Sequence, residues 1–386
     1  MKTDYQRLLA LDVFRGITIA GMILVNNPGS WNNVYAPLKH VPWHGLTPTD
    51  LVFPFFMFIM GISTYISLKK YEFEFSRSSI WKIVKRTCVI FAIGLGIAWL
   101  SLFFLTWNSL VKDNLTFFSH LRQSICVFDQ LRILGVLQRL ALSYGFAAII
   151  VILLKHKYIP YLIGVLLISY FLILIFGNGF EYNETNILSI VDRAVLGLNH
   201  ILDDHKIDPE GILSTIPSIA HVLLGFYCGK WLMEEKDIRD KLLYLFLFGT
   251  VLISSGFLFS FGCPLNKKIW SPTFVLFTCG LASSILALFI WIIDVKGHKK
   301  WSRFFEAFGV NPLFMYTLAA IVSILLRNIT FKYNEATTNI RDYIYKELLL
   351  PLFGNYQGSL VYSLLFVCLI WVCGYVLYKK KIYIKI

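Results

Sequence analysis

Two histidines stand four residues apart in the segment KHVPWHGLTPTD, residues 39–50. Imidazole titrates near neutrality and is the commonest general base, so His40 or His44 could take a proton from a nucleophile. On a helix, an i,i+4 pair would also share one face, where a metal could bind. No HExxH pattern and no clear third ligand accompany the pair, so no metal is expected. A solvated loop histidine is the plain alternative for both. Asp50 closes the segment, directly before the apolar run 51–56. A carboxylate there suits a helix N-terminus, where free N–H groups favour negative charge, and it could also receive a cationic substrate.

Other polar groups fall where hydrocarbon would be expected. Asp12 and Arg15 lie three apart near the start of the first apolar run. They share a helix face, either as a plain ion pair or with Arg15 lining a cavity for an anionic ligand. Arg139 lies inside GVLQRLALSYG. It must snorkel to an interface, pair with a carboxylate such as Asp50 or Asp192, or serve a site. The stretch before the sixth apolar run carries Asp192, His200, Asp203, Asp204, His205, Asp208 and Glu210. This acidic cluster could attract a cationic substrate or remain solvated. Asp208-Pro209 with Gly211 reads as a turn, and Ser214 and Thr215 as helix caps.

These groups must be positioned by apolar helices. The chain has 386 residues, 57% apolar or aromatic and only 15% charged. A soluble chain would carry roughly a quarter charged residues. That excludes a cytosolic enzyme, a secreted domain and a disordered chain. The pattern predicts an all-α, polytopic membrane bundle of about ten transmembrane helices, with cores at 9–27, 51–68, 87–106, 134–154, 159–176, 214–229, 242–261, 273–293, 310–326 and 358–378. Residues 1–386 read as one transmembrane domain, and the first apolar run as a retained span rather than a cleaved leader.

The net charge of +13 is spread along the flanks of the spans, without a basic helix of the kind that binds nucleic acid. One set of connecting segments, including both ends, holds 22 Lys and Arg, against 12 for the other set. The positive-inside rule then puts both termini in the cytoplasm. Of the seven cysteines, none forms a CxxC pair, and only Cys126 and Cys263 fall in loops, which leaves a disulfide between them open.

Seven stretches together resemble the heparan-α-glucosaminide N-acetyltransferase family, and more closely its bacterial members without the extra N-terminal luminal domain. They are LDVFRG (11–16), VNNPG (25–29), KHVPWHGLTPTDLVFPFFMFIMG (39–61), GVLQRL (135–140), DPEGILSTIPSI (208–219), NKKIWS (266–271) and GVNPL (309–313). The resemblance implies an enzyme of the cytoplasmic membrane that moves acetyl from cytosolic acetyl-CoA, its co-substrate, to an amino sugar such as glucosamine on the outer face. It puts His40 at the catalytic histidine and Asn26 at the active-site asparagine, and it leaves a homodimer open. Position 44 carries His where the family usually has Asn.

On this reading the acidic residues Asp50, Asp192, Asp208 and Glu210 are expected to serve the acceptor. Arg15, Lys85, Arg86 and Lys230 are expected around the CoA phosphates, with Arg139 nearer the reacting end. An amino-sugar transporter is the alternative from a different class. It would need no base and no acetyl-CoA.

Overall fold

The computed structural model describes residues 8–110, 116–202, 207–235 and 237–384. The loop residues Asp203, Asp204 and His205 therefore lie outside the described residues. In chain order the helices are α1 (Leu9–Asn26), α2 (Pro48–Lys69), α3 (Arg77–Leu110), α4 (Phe117–Ile125), α5 (Val136–Leu153), α6 (Ile159–Phe176), α7 (Ile187–Leu196) and α8 (Thr215–Glu234). There follow α9 (Ile238–Phe259), α10 (Pro272–Phe289, continued by a π-helical stretch to Val295), α11 (Ser302–Val310), α12 (Pro312–Asn328), the short α13 (Ile340–Tyr343) and α14 (Leu350–Phe353), and α15 (Asn355–Lys379).

Each of the ten apolar stretches lies in a helix. Among the described residues, eight helices are long and apolar enough to cross a membrane, and a ninth span arises if α11 and α12, bent by 86°, count together. The remaining helix, α8, has 20 residues and contains His221, Ser218 and three glycines or alanines on its buried faces. It tolerates that polarity because it packs against α2, α5, α6 and α10 rather than against lipid. Leu8 and Ile384 line adjoining clefts that share Arg15, Ser63, Ser67 and Lys82, so both ends of the described chain lie at one end of the bundle. The ten predicted crossings thus compare with eight or nine candidate spans among the described residues, α8 being the stretch that falls short.

The contact between α2 and α8 fixes the frame of the site. A side-chain carbon at Gly61 would collide with the Val222 carbonyl, and one at Gly225 with the Phe58 carbonyl. Glycine lets these two backbones touch, the usual way in which membrane helices gain packing contact. Pro54 lies inside α2, and its carbonyl oxygen lies 2.9 Å from Nε2 of His221 on α8. At the N-terminus of α2, Pro48 occupies the first turn, and Thr47 and Asp50 form a capping box.

Three features depart from the simple span reading. Helix α3 runs for 34 residues, about 50 Å, so Arg77–Arg86 is helix and not loop. The loops opposite the termini contain the amphipathic helices α4 and α7. They also contain a β-hairpin, β1 (Thr330–Tyr333) paired antiparallel with β2 (Ala336–Asn339). Asn334 and Glu335 adopt φ of 47° and 66° at its two-residue turn, the left-handed pair that matches strand twist. The β-branched and aromatic residues of TFKY and ATTN supply the strand preference.

Candidate active site

At the end of the bundle opposite the termini, a cavity of about 210 Å³ is lined by Asn26, His40, Asp50, Glu210, Lys267 and Tyr316, among others. Asn26 ends α1, and Asp50 stands in the first turn of α2. His40 hangs on the connection between them, and Tyr316 comes from the second turn of α12. Residues 40–47 are not helical, so His40 and His44 do not share a helix face. His44 instead lies 3.4 Å from the amide nitrogen of Asn266, and burial lowers its pKa while Glu181 opposes that shift.

The carboxylate of Asp50, only 2% exposed, organises the loop. Its Oδ2 accepts the backbone N–H of Thr47 at 3.2 Å and that of Val41 at 3.3 Å, and the Thr47 hydroxyl lies 2.9 Å away. Its Oδ1 lies 2.6 Å from Nδ1 of His40. The backbone bonds from Val41 and Thr47 thus hold the carboxylate against the ring. Among the described residues, Nε2 of His40 has no hydrogen-bond partner, and the side chain is 45% exposed. An imidazole held in this way by a carboxylate could act as a base through Nε2. Lys267, from the loop before α10, adds its ammonium 3.1 Å from the same Nδ1 and 3.5 Å from Oδ1 of Asp50.

The acidic loop before α8 divides into different environments. Arg132 donates to both oxygens of Asp208, at 3.0 and 2.6 Å, and to Glu210 at 2.7 Å. Asp208 also accepts the N–H groups of Leu202 and Glu210, so it ties the turn together behind the cavity wall. Glu210 faces the cavity. Burial would raise its pKa, but Arg132 and Arg139 outweigh that and hold it low. Asp192 is buried under Gly211 and accepts the Ile212 N–H at 2.8 Å through Oδ1, while Oδ2 has no partner among the described residues. Burial raises its pKa to about 6, against the effect of that N–H. Of the four acidic candidates, Asp50 and Glu210 line the cavity; Asp192 and Asp208 support its rim.

Arg139 is 1% exposed and donates to the Gly211 carbonyl at 3.2 Å and to the Ser214 hydroxyl, with Trp270 5.2 Å from its guanidinium. It braces the start of α8 and does not reach the cavity lining.

At the other end of the bundle, two adjoining clefts of about 360 Å³ each carry positive charge. Arg15, Lys70, Lys82 and Arg86 line them, with Ser63 and Ser67 of α2. The Asp12–Arg15 ion pair is present at 3.0 Å, and Arg15 also donates to Ser63 at 2.7 Å. Lys85 is exposed beside the cleft, and Lys230 pairs with Glu234 at 3.9 Å. Neither lines it. The upper cleft reaches Phe56, Leu140 and Leu313, and the His40 cavity begins at Val52, Val136 and Tyr316. These residues are about one helical turn apart on α2, α5 and α12, so the two spaces lie end to end along the same three helices.

Sequence reading assigned no role to Lys267, Arg132, Tyr316, Lys70 or Lys82. The available signals were the NKKIWS stretch that resembles the family and the Lys82/Arg86 i,i+4 pair. All seven cysteines are free thiols; Cys263 is buried and Cys126 exposed, so they form no bridge.

The family profile described as the catalytic part of heparan-alpha-glucosaminide N-acetyltransferase matches residues 7–256. The curated proteins of that name from Mus musculus and Homo sapiens are each 27% identical to this chain. Those alignments cover 100% and 98% of the chain but 61% and 60% of the relatives, so it spans about three fifths of their length. A profile match over more than half of the chain, with matched residues that include Asn26, His40, Asp50 and Glu210 around one cavity, places this polytopic membrane protein in the heparan-alpha-glucosaminide N-acetyltransferase family.

Proposed function

We propose that the protein is an acetyl-CoA-dependent N-acetyltransferase of the cytoplasmic membrane, with a glucosamine-like amine as acceptor on the outer face. The observation that carries this reading is the alignment of two unlike sites on α2. An oriented imidazole sits at one end, and a basic cleft opens about 20 Å away, from Asp50 to Ser63. The phosphates of CoA cannot enter hydrocarbon cheaply, so they stay at the cleft beside Arg15, Lys70, Lys82 and Arg86. The uncharged pantetheine arm passes between α2, α5 and α12 toward His40. The excess of Lys and Arg on the terminal side supports a cytoplasmic cleft.

In this mechanism the acceptor arrives as an ammonium, drawn to Glu210, releases one proton to the outer water and reacts as a neutral amine. Its nitrogen attacks the thioester carbonyl while Nε2 of His40 takes the proton. The imidazolium is stabilised by Asp50 at Nδ1. The side-chain amide of Asn26 donates to the oxyanion. The C–N bond forms and the C–S bond breaks. The proton on Nε2 then passes to the CoA thiolate, which returns His40 to its neutral form.

Sealed, oriented vesicles test the reading. Acetyl-CoA on the cytoplasmic face and glucosamine on the outer face should give N-acetylated sugar outside, with CoA retained on the first face. Acetyl-CoA supplied only outside should give little product. Accumulation of unmodified sugar inside, independent of acetyl-CoA, would replace the enzyme by a transporter.

A further inference from the structure

We propose that the acceptor is an amino sugar carried on a lipid through an anionic linkage, and that an apolar groove between α6, α9 and α10 holds its hydrocarbon chain while the sugar enters the His40 cavity. This inference rests on the acetyltransferase reading above and names its substrate class. The groove has a volume of about 610 Å³, larger than the His40 cavity and than either basic cleft. Ile163, Gly164 and Ile168 of α6 form one wall; Leu252 and Leu258 of α9, with Leu276 of α10, form the other. All three helices are long and apolar enough to cross a membrane, and Ile168 and Leu258 are exposed. The groove therefore opens to lipid, where an apolar chain fits and an unpaired polar group does not.

Its depth and position select one kind of chain. The Tyr170 hydroxyl donates to the carbonyl of Ile269, so the adjoining Phe171, which lines the groove, stands level with the loop between α9 and α10. From Phe171 the wall runs along α6 to Pro160, about 16 Å of helix. That is roughly half of a hydrocarbon core of about 30 Å, the depth of one leaflet. A side-chain carbon at Gly164, near the middle of this wall, would meet nothing within 4 Å.

The upper end of the groove adjoins the reaction site. Gly262 and Cys263 at the start of the loop line the groove, and Lys267 and Lys268 at its tip line the His40 cavity. Thr273, also on the groove, donates to the Cys263 carbonyl at 2.7 Å and closes the base of the turn. From Cys263 to Lys268 the chain reaches at most about 18 Å. A second connection runs from Phe171 to Phe180, whose rings are 6.5 Å apart. The Phe180 carbonyl accepts the indole N–H of Trp43, on the cavity wall, at 2.7 Å.

Charge complements this path. Lys267 pairs with Asp50, but Lys268 makes no ion pair among the described residues. Its ammonium lies 3.3 Å from the Tyr182 hydroxyl and 4.4 Å from the centre of that ring. A cation without a counter-charge, placed between an apolar groove and the reaction cavity, suits a phosphate that joins chain to sugar. Bilayer hydrocarbon already solvates the chain, so the groove adds no hydrophobic gain. It acts by holding the sugar at the mouth of the cavity, which raises its local concentration. The chemistry at the amine is unchanged.

The full-length protein in lipid nanodiscs tests this with the hexadecyl ester of glucosamine 1-phosphate, carrying a diazirine near the chain end. Glucosamine 1-phosphate and free glucosamine are the comparisons. Gly164→Phe fills the groove where no protein atom stands in the way. Relative to free glucosamine, it should lower kcat/KM for the ester about tenfold or more, the scale of a lost second attachment. Lys268→Gln should lower kcat/KM for both phosphate compounds by a larger factor than for glucosamine, which separates the anion from the chain. Photolysis of the wild type should label α6 and α9 along the groove. Excess unlabelled ester should abolish that labelling, as should Gly164→Phe, or Gly164→Leu if the first variant does not fold.

Equal use of the ester by wild type and the Gly164 variant would overturn the inference. So would labelling spread over the lipid-facing helices and indifferent to unlabelled ester, because ordinary bilayer lipid then fills the groove. If the groove is labelled but none of the three sugars is acetylated, the acetyltransferase reading falls while the glycolipid site stands. Acetylated glucosamine with an unlabelled groove keeps that reading and removes the site.

Discussion

The two ends of α2 hold functional groups in opposite ways. At the His40 end, charges are paired and mostly buried: Asp50 with His40 and Lys267, and Glu210 with Arg132. Backbone N–H groups hold Asp50 against the histidine. At the other end, Lys70, Lys82 and Arg86 line a larger and more open cleft, and Lys82 makes its contact with the neutral Ser67. The first end is built to hold atoms in place; the second supplies a positive field. Geometry should therefore govern turnover at one end, and charge should govern affinity at the other.

Removing the oriented imidazole is the strongest test of that division. His40→Ala should reduce kcat for acetyl transfer by about 10²-fold or more, with CoA binding and folding nearly unchanged, because a half-exposed loop histidine supports little core. His44→Asn, four residues away but outside the cavity lining, should change kcat by about twofold or less. Steady-state kinetics with binding calorimetry would check both. Equal losses in the two variants would mean that the loop acts as a whole and not through one ring.

Charge removal at the cleft should give a different signature. Lys82→Ala combined with Arg86→Ala should raise KM for acetyl-CoA about tenfold and leave KM for the amino sugar unchanged. The difference from wild type should shrink as ionic strength rises, because exposed charges are screened over about 10 Å at 0.1 M salt. A kcat defect without a KM effect would erase the contrast between the two ends.

The smallest expected effect concerns the rim. The folded-state pKa of Asp192 is raised to about 6 from 3.8, so its contribution to stability is present below pH 3.8 and is lost as pH rises to about 6. Above that window the native state must hold a buried anion. Asp192→Asn keeps an oxygen for the Ile212 N–H and removes that charge. Thermal unfolding in detergent should show a variant at least as stable as wild type at pH 7, with a flatter stability profile between about pH 4 and 6. Marked destabilisation at pH 7 would show that Asp192 acts as an anion toward Arg139.

The membrane architecture was legible because its signal is local. Ten apolar runs of spanning length appear in the chain, and flanking Lys and Arg distinguish its two sides. The HVPWHGLTPTD segment was equally readable. Its histidines, its helix-start chemistry and the family resemblance all lie within one stretch of residues. Even α8, too polar to pass as a lipid-facing span, was readable as a helix.

Tertiary packing alone decided which charges work together. Lys267 meets His40 across 227 residues, and Arg132 meets Asp208 and Glu210 across more than 70. Periodicity carries no information about such pairs, because it reports which face of an element is apolar and not what comes to lie opposite. The same limit applies to the basic candidates. Arg15, Lys85, Arg86, Arg139 and Lys230 look alike in sequence, but only Arg15 and Arg86 line the cleft. Arg139 is drawn inward by the Gly211 carbonyl and Ser214, Lys230 lies near Glu234, and Lys85 is exposed. Sequence determined that this chain has the helices of a membrane protein and a histidine in the stretch that resembles the family; packing decided its partners, because buried charges must be satisfied by whatever neighbours the helices bring.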